Sequence, residues 1–430
     1  MKYIAKSLEY SKDNFVVHKR DKTAWNEEEL SKLSKEPNKK YLGLSKKYDY
    51  GNDKICVKPY YYIGYRWFDE KKEECIRISP KKSKDGKQAD YLKMFLTCLK
   101  DPIVSKKMND CYGIKFNEKW IEIEENEDEI TPLIILQFLK VVHNISKKGL
   151  KKGYTKITEN LTSKIKGKIL VNQTIKQNHF KNRLDKTICN HQIFTIDCIE
   201  NQILKTALFQ CSRNLQNINN DDITKLLKFN LNSFELVNTK EIFKSDFSKI
   251  KYSPFYKDYK EALILAQMIF KRFGFTLNSS KKDEKIKIPP FYIDMPKLFE
   301  RYVEVKLREV YPEILDGNTL DIDLKFKMRP DFLLASQNMI IDAKYKYWFY
   351  KNNINDDFKD DFQQLSLYGR ESNIRQYINL GDSNREANIL FIYPEKSAEE
   401  YVNNIYKNKV DGFNNIYKLG IKIPSKESER

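Results

Sequence analysis

The sequence predicts a multidomain chain of mixed α+β and α/β class, with a β-rich N-terminal module, a mainly helical middle region and an α/β C-terminal domain. Three observations support this class. The chain has 430 residues, whereas a typical domain has about 150. Polar and apolar residues alternate in early segments, as they do in strands. Later segments have helical spacing, and after residue 286 helical and strand patterns alternate.

The N-terminal module, residues 1–130, contains two segments with strand character. Aromatic and β-branched residues alternate with polar ones at 58–68 and again at 115–124. The middle region, 131–285, opens at Thr131-Pro132, because Thr is a favourable N-cap and Pro suits the first helical turn. That helix should end near Gly149.

Further helices are expected within 195–275, and the polar, proline-containing stretch 278–290 indicates a linker. The C-terminal domain, 286–430, should begin with a helix from Asp294 to Tyr311, since Pro312 cannot continue it. After a hairpin and a second helix, the apolar segment 388–394 predicts a core strand.

Basic residues exceed acidic ones by 78 to 60, and the formal net charge is +18. This charge favours a polyanionic partner, either nucleic acid or an anionic membrane surface. The excess is concentrated at 147–186, where twelve Lys and Arg residues stand against two acids. The segment includes Lys164, Lys166 and Lys168, which can bind DNA phosphates or face an acidic protein. The sequence leaves both uses open.

Three features predict a cytoplasmic protein without membrane association. No apolar run approaches the ~20 residues of a membrane-spanning helix. The seven cysteines lack Cys-x-x-Cys spacing, and the first residues lack the apolar stretch of a signal peptide. A phosphate-binding Gly-x-x-x-x-Gly-Lys-Ser/Thr loop is also missing, so any nucleotide-driven motor should be another chain.

Two carboxylates are expected to converge in the C-terminal domain. A polar turn at 336–338 separates two short apolar strands, which places Asp331 at the start of one and Asp342 at the end of the other. Such a pair can bind Mg²⁺, or Mn²⁺ in its place, and the metal can polarise a phosphodiester. Lys344 should share the strand face of Asp342 and can stabilise negative charge in a transition state.

Pro330-Asp331 and Asp342-Ala343-Lys344 resemble the motif of the PD-(D/E)xK nuclease superfamily, whose restriction-endonuclease-like α/β fold is implied here. Gln364 and Tyr368 match the QxxxY element of its RecB-like branch. One helical turn apart, they would bind substrate phosphate or orient the ligands of the metal.

Glu300 occupies the place where many members of this superfamily carry a further acidic residue of the metal site. An exposed helical glutamate without a role is the alternative. Arg329 and Lys346 flank the motif and are predicted to contact DNA. Together with Asp331, Asp342, Lys344, Gln364 and Tyr368, Glu300 completes the predicted catalytic set.

A closer resemblance spans residues 145–395. Short elements from Gly149 onwards occur in the order seen in McrC-like proteins, the nuclease subunits of McrBC-type modification-dependent (5-methylcytosine) restriction systems. The most specific element is the block 342–346 with Asp361 and Gln364. The resemblance implies that DNA is cut only with a McrB-like AAA+ GTPase ring, which the N-terminal module would dock on and stimulate. Two nuclease subunits would pair for double-strand cleavage.

Two other functions stay open at this point. One is a non-catalytic adaptor that binds DNA and activates a partner GTPase, and the other is a free-standing RecB-like nuclease. The intact set of Asp331, Asp342 and Lys344 argues against the first, and the long basic N-terminal half argues against the second.

Overall fold

The computed structural model describes residues 2–8, 15–17, 45–49, 54–58, 61–69, 74–80, 89–115, 118–124, 130–214, 221–248, 250, 254–273, 285–320, 329–345, 356–395 and 404–425. The strands in these ranges are β1 Lys2–Leu8, β2 Phe15–Val17, β3 Ser45–Asp49, β4 Lys54–Lys58, β5 Tyr62–Asp69, β6 Glu74–Ser79, β7 Tyr112–Ile114, β8 Ile121–Glu124, β9 Gly153–Thr162, β10 Lys168–Ile169, β11 Lys186–Thr195, β12 Lys285–Ile288, β13 Phe291–Asp294, β14 Leu315–Asp316, β15 Phe332–Leu334, β16 Met339–Ala343, β17 Asn388–Glu395 and β18 Ile416–Lys422. The α-helices are α1 Tyr91–Lys100, α2 Thr131–Lys148, α3 Val171–Gln177, α4 Ile199–Asn214, α5 Asp221–Ser233, α6 Lys244–Ser248, α7 Lys257–Phe273, α8 Met295–Arg308, α9 Asp356–Tyr368 and α10 Ser372–Tyr377.

The chain forms two compact units, the first made of residues 1–122 and 289–430 and the second of residues 123–288. Helices and several sheets occur together, in agreement with the predicted α+β class. The first and last predicted regions, however, share the first unit, because β13 pairs with both β5 and β7.

In the first unit, one sheet has the strand order β1-β6-β5-β13-β7. Gly64 on β5 lies against β13 with a φ of +145°, and a Cβ built there would be 2.1 Å from the carbonyl oxygen of Phe291. Only glycine fits this approach. Helix α8 follows β13 directly, and the Asp294 side chain caps it by accepting from the Lys297 N–H at 3.2 Å, as expected for a start at Asp294. The sheet therefore fixes where α8 begins.

A second five-stranded sheet in this unit has the order β14-β15-β16-β17-β18. Strands β15 and β16 form the predicted antiparallel hairpin, and its turn ends at Asn338, which has a φ of +47° that asparagine tolerates. The predicted core strand is β17, which runs parallel to β16. Leu365 of α9 and Ile374 of α10 pack on Ile340 and Phe391 in one buried cluster. Helices α9 and α10 thus cover one face of the hairpin.

In the second unit, α2 ends before Gly149 as predicted, but its N-cap is Ile130, so Thr131 is already helical. Helix α2 packs with α4, α5 and α7. The buried Asn230 of α5 donates to the carbonyl oxygen of Leu139 on α2 at 2.8 Å and ties the two helices together. Nowhere in the described ranges is a helix both long and apolar enough to cross a membrane.

Two predictions for the middle region need correction. Besides helices, the region contains a three-stranded sheet, β10-β11-β9, which was not predicted. The less exposed face of β9 carries Thr155 and Glu159 besides Ile157 and Leu161, so apolar residues do not alternate regularly along the strand. The linker prediction is wrong for 285–288, which forms β12 and pairs with β8. Its alternating Lys and Ile residues suit a strand, while residues 274–284 lie outside the described ranges.

We expect Gly64→Ala to lower the unfolding free energy by more than about 2 kcal/mol, because the new Cβ would overlap the Phe291 carbonyl in an unfavourable φ region. Chemical denaturation measures the change. Gly369→Ala is the control, since its Cβ would make only an ordinary contact with Ala387 at 3.6 Å. Equal stability of the two variants would contradict the close approach of β5 and β13.

Candidate active site

The hairpin brings Asp331 and Asp342 to the same place. Asp331 precedes β15, and its Oδ2 accepts a hydrogen bond of 2.7 Å from the backbone N–H of Ala343. Asp342, the residue before Ala343, is 2% exposed. Burial, together with the charges of Asp342 and Glu300, raises the pKa of Asp331 well above its usual value. The two carboxylates therefore repel each other in a poorly solvated position.

Lys344 supplies the opposite charge. Its Nζ lies 2.7 Å from Asp342 Oδ2 and 3.8 Å from Asp361 Oδ1. Its backbone N–H donates to the carbonyl oxygen of Ile392 at 2.7 Å, which holds the residue beside β17. Burial would lower the pKa of Lys344, but Asp342, Asp361 and Asp331 raise it, so the ammonium group stays charged.

Asp361 was not among the residues predicted for the site. It lies on α9, is 7% exposed and points its carboxylate towards Lys344. Gln364 follows it by three positions, which places both on one face of the helix. The sequence analysis named Asp361 with Gln364 as part of the resemblance, and this helical spacing is the signal that could have placed it in the site.

Glu300 on α8 is half-buried, which excludes the alternative of an exposed helical glutamate. Its Oε1 accepts from Asn318 Nδ2 at 3.1 Å and lies 3.5 Å from Arg301 Nη1. Burial raises its pKa to about 7, Arg301 opposes the shift, and Asp342 is among the acids that add to it. Glu300 thus belongs electrostatically to the group formed by Asp331 and Asp342.

Gln364 and Tyr368 lie one turn apart on α9, as predicted, but their polar groups bind each other and the protein. Gln364 Nε2 donates to Tyr368 Oη at 2.7 Å, and Tyr368 Oη donates to the carbonyl oxygen of Arg329 at 3.0 Å. The two side chains therefore stabilise the backbone conformation just before Asp331.

Arg329 itself is also engaged. Its guanidinium Nη1 donates to the carbonyl oxygens of Asn318 at 3.3 Å and Leu320 at 2.5 Å. Of the other predicted DNA contacts, Lys346 lies outside the described residues. The side chains of Lys164, Lys166 and Lys168 are exposed in the second unit.

The donor set suits a hard divalent cation. Among the described residues, no three His, Cys, Asp or Glu side chains are grouped closely enough to enclose a metal. The two carboxylates of Asp331 and Asp342 are nevertheless sufficient for Mg²⁺, because this ion usually takes one or two protein carboxylates and completes its coordination shell with water and phosphate. A cation there would relieve the repulsion that raises the pKa of Asp331.

A family model described as "McrBC 5-methylcytosine restriction system component" matches residues 57–380, which is three quarters of the chain. No curated protein matches. Among solved structures, the chain is similar to a half-complex from a tetradecameric assembly of Thermococcus gammatolerans McrB AAA+ hexamers with bound McrC, at 16% identity and a TM-score of 0.41 over 98% of this chain and 94% of that one. For a cryo-EM structure of the Thermococcus gammatolerans McrBC complex, identity is 16% and the TM-score 0.31, over 71% of this chain and 87% of that one.

We expect Glu300→Gln to stabilise the metal-free protein at pH 8. A carboxyl whose folded pKa is raised is ionised at a cost in the folded state, so stability falls as pH rises towards and through about 7. Removing the charge should raise the unfolding free energy by on the order of 1–3 kcal/mol at pH 8, with little gain near pH 4.

Denaturation midpoints at several pH values measure this difference. Glu309→Gln is the control, because Glu309 lies just after α8 and its side chain is 53% exposed. A Glu300→Gln protein that is no more stable than wild type at pH 8 would show that this carboxylate carries no electrostatic strain.

Proposed function

Since the chain belongs to the family of McrBC 5-methylcytosine restriction system components, we propose that it acts as the DNA endonuclease subunit of such a system. The family assignment confirms the resemblance on which the sequence analysis relied. The observation that carries the nuclease role is the juxtaposition of Asp331, Asp342 and Lys344 at the hairpin, inside the matched range.

We assign residues 286–430 the PD-(D/E)xK architecture. Helix α8 precedes the sheet, the β15–β16 hairpin carries the two aspartates and the lysine, and α9 follows on the sheet face that includes Ile340. The parallel strands β17 and β18 extend the sheet on the side of β16. This order of elements supports a nuclease core built around the hairpin.

Asp331 and Asp342 would hold Mg²⁺, or Mn²⁺ in its place. The metal supplies polarisation of the scissile phosphate and activation of water. Lys344 stays charged beside Asp342, where its ammonium group can stabilise negative charge that develops on the phosphate. Glu300, with a pKa of about 7, can accept or hold a proton near neutral pH. Gln364 and Tyr368 keep the backbone before Asp331 in place.

DNA is the proposed substrate, and its phosphates need cationic partners. Lys164, Lys166 and Lys168 are exposed and belong to the segment with the largest basic excess, so they are suited to phosphate contacts. Lys346 follows the hairpin in sequence and is assigned the same role. Arg329 acts mainly through its contacts within the site, and only its remaining donors are available to DNA.

The proposed partner is a McrB-like AAA+ GTPase ring that this chain stimulates. The sequence lacks a nucleotide-binding loop of its own, and a family of restriction-system components supplies the context for a separate motor. Pairing of two nuclease subunits would provide the second catalytic group that double-strand cleavage needs.

Asp342→Asn and Lys344→Ala should each reduce DNA cleavage at least 100-fold in the presence of the GTPase partner, GTP and Mg²⁺, because each removes a group that acts on the phosphate. Stimulation of GTP hydrolysis should be unchanged. Asp382→Asn is the control, since Asp382 is an exposed acid of the same unit. Cleavage by either variant at the wild-type rate would refute the nuclease assignment and favour the adaptor function.

Metal binding should release protons and strengthen as pH rises from 6 to 8. The reason is that the pKa of Asp331 is raised and that of Glu300 lies at about 7, so protons compete with the cation. Isothermal titration of Mn²⁺ in buffers of different ionisation enthalpy counts these protons. Asp331→Asn should abolish binding, and pH-independent binding in the wild type would contradict the assignment of these ligands.

A further inference from the structure

Five charged side chains form a buried cluster beside the proposed nuclease site. Glu304 of α8 is 0% exposed and Asp316 of β14 is 3% exposed. Their cationic partners are Arg301 and Arg308 of α8 and Lys107, which lies between two short 3-10 turns, Val104–Lys106 and Met108–Cys111. All five belong to the first unit.

Two cations bridge the same two carboxylates. Lys107 Nζ lies 2.7 Å from Glu304 Oε1 and 2.5 Å from Asp316 Oδ2. Arg301 Nη1 lies 3.1 Å from Glu304 Oε2 and 2.9 Å from Asp316 Oδ2. Arg308 adds a third cation on Glu304 at 3.1 Å. Without Lys107, Glu304 would keep two cationic partners, whereas Asp316 would keep one, an arginine that it shares with Glu304 and Glu300.

The turn that begins at Asp316 contacts the proposed site twice. Asp316 Oδ1 accepts from the Asn318 N–H at 2.9 Å and so fixes the turn. Within it, the Gly317 N–H donates to the carbonyl oxygen of Asp331 at 2.9 Å. Asn318 Nδ2 donates to Glu300 Oε1 at 3.1 Å. This one turn therefore fixes the position of the Asp331 backbone and the position of the Glu300 carboxylate.

This contact has little freedom to shift. A Cβ at Gly317 would lie 1.9 Å from the carbonyl oxygen of Pro330, so the turn packs directly on the residue before Asp331. A displacement of Asp316 would therefore be passed to Asp331. A buried carboxylate that loses a partner is unstable where it is and moves towards water or another cation.

We propose that Lys107 is a positioning residue of the nuclease site, which holds Asp331 and Glu300 in place through Asp316 and its turn. The inference rests on the proposed function for its catalytic meaning. It assigns a role in the active site to a residue 209 positions before Asp316 in the chain.

The test uses the full chain and three variants. Lys107→Met removes the charge at similar length, Lys107→Arg keeps it, and Lys106→Met is the control at a neighbouring exposed lysine. Lys107→Gln replaces Lys107→Met if the latter does not fold. Hydrogen exchange by mass spectrometry measures protection of the Gly317 and Ala343 amides, which donate to Asp331. Titration with Mn²⁺ measures metal affinity.

In Lys107→Met, we expect exchange at these two amides to accelerate at least 10-fold, and the Mn²⁺ dissociation constant to rise about 10-fold. Lys107→Arg should stay within about twofold of wild type, and Lys106→Met should be unchanged. Unchanged protection in Lys107→Met, or faster exchange spread evenly over the whole unit, would overturn the positioning role. A third outcome separates the two proposals. If the wild type binds no Mn²⁺ but the Gly317 and Ala343 amides exchange faster in Lys107→Met, the positioning of Asp331 is supported and only the nuclease proposal fails.

Discussion

The repulsion between buried carboxylates is the constraint on which the C-terminal part of this protein depends. Burial raises the pKa of Asp331 and of Glu300, and the charge of Asp342 adds to both shifts, so folding gains nothing from bringing these groups together. Lys344 offsets part of this repulsion directly. Geometry limits the remainder. The backbone amides of Ala343 and Gly317 donate to Asp331, and Tyr368 Oη donates to the carbonyl oxygen of Arg329, two residues before it. The cation that we propose for this site would relieve the repulsion.

Local patterns in the sequence were sufficient to predict the elements that carry the site. The hairpin follows from two apolar runs around a polar turn, and the start of α8 follows from Asp294 before a proline-containing helical segment. The convergence of Asp331 and Asp342 then needs only the strand register. What determines these features lies within a few residues of each of them, so a single sequence reveals them.

The contacts that complete the site depend on residues far apart in the chain. Lys107 meets Glu304 across 197 positions, and the amide of Gly317 meets Asp331 in a close approach that no local pattern encodes. The hydrogen bond from Tyr368 to the backbone of Arg329 was not predicted for the same reason, since the two residues lie on different segments. The sheet β10-β11-β9 was not predicted because polar residues such as Thr155 and Glu159 also occupy the less exposed face of β9, which weakens the alternation that identifies strands.

The position of β13 between β5 and β7 has a consequence for synthesis on the ribosome. The ribosome synthesises the chain from its N-terminus. Strands β5 and β7 therefore lack their shared neighbour β13 until the whole second unit has been translated. Residues 123–288 form a compact unit and can fold during this interval. The first sheet is complete only after β13, Phe291–Asp294, has left the ribosome. The β15–β16 hairpin, which carries Asp331 and Asp342, is synthesised later. The hairpin that carries Asp331 and Asp342 is therefore absent from a nascent chain until translation has reached the last third of the sequence.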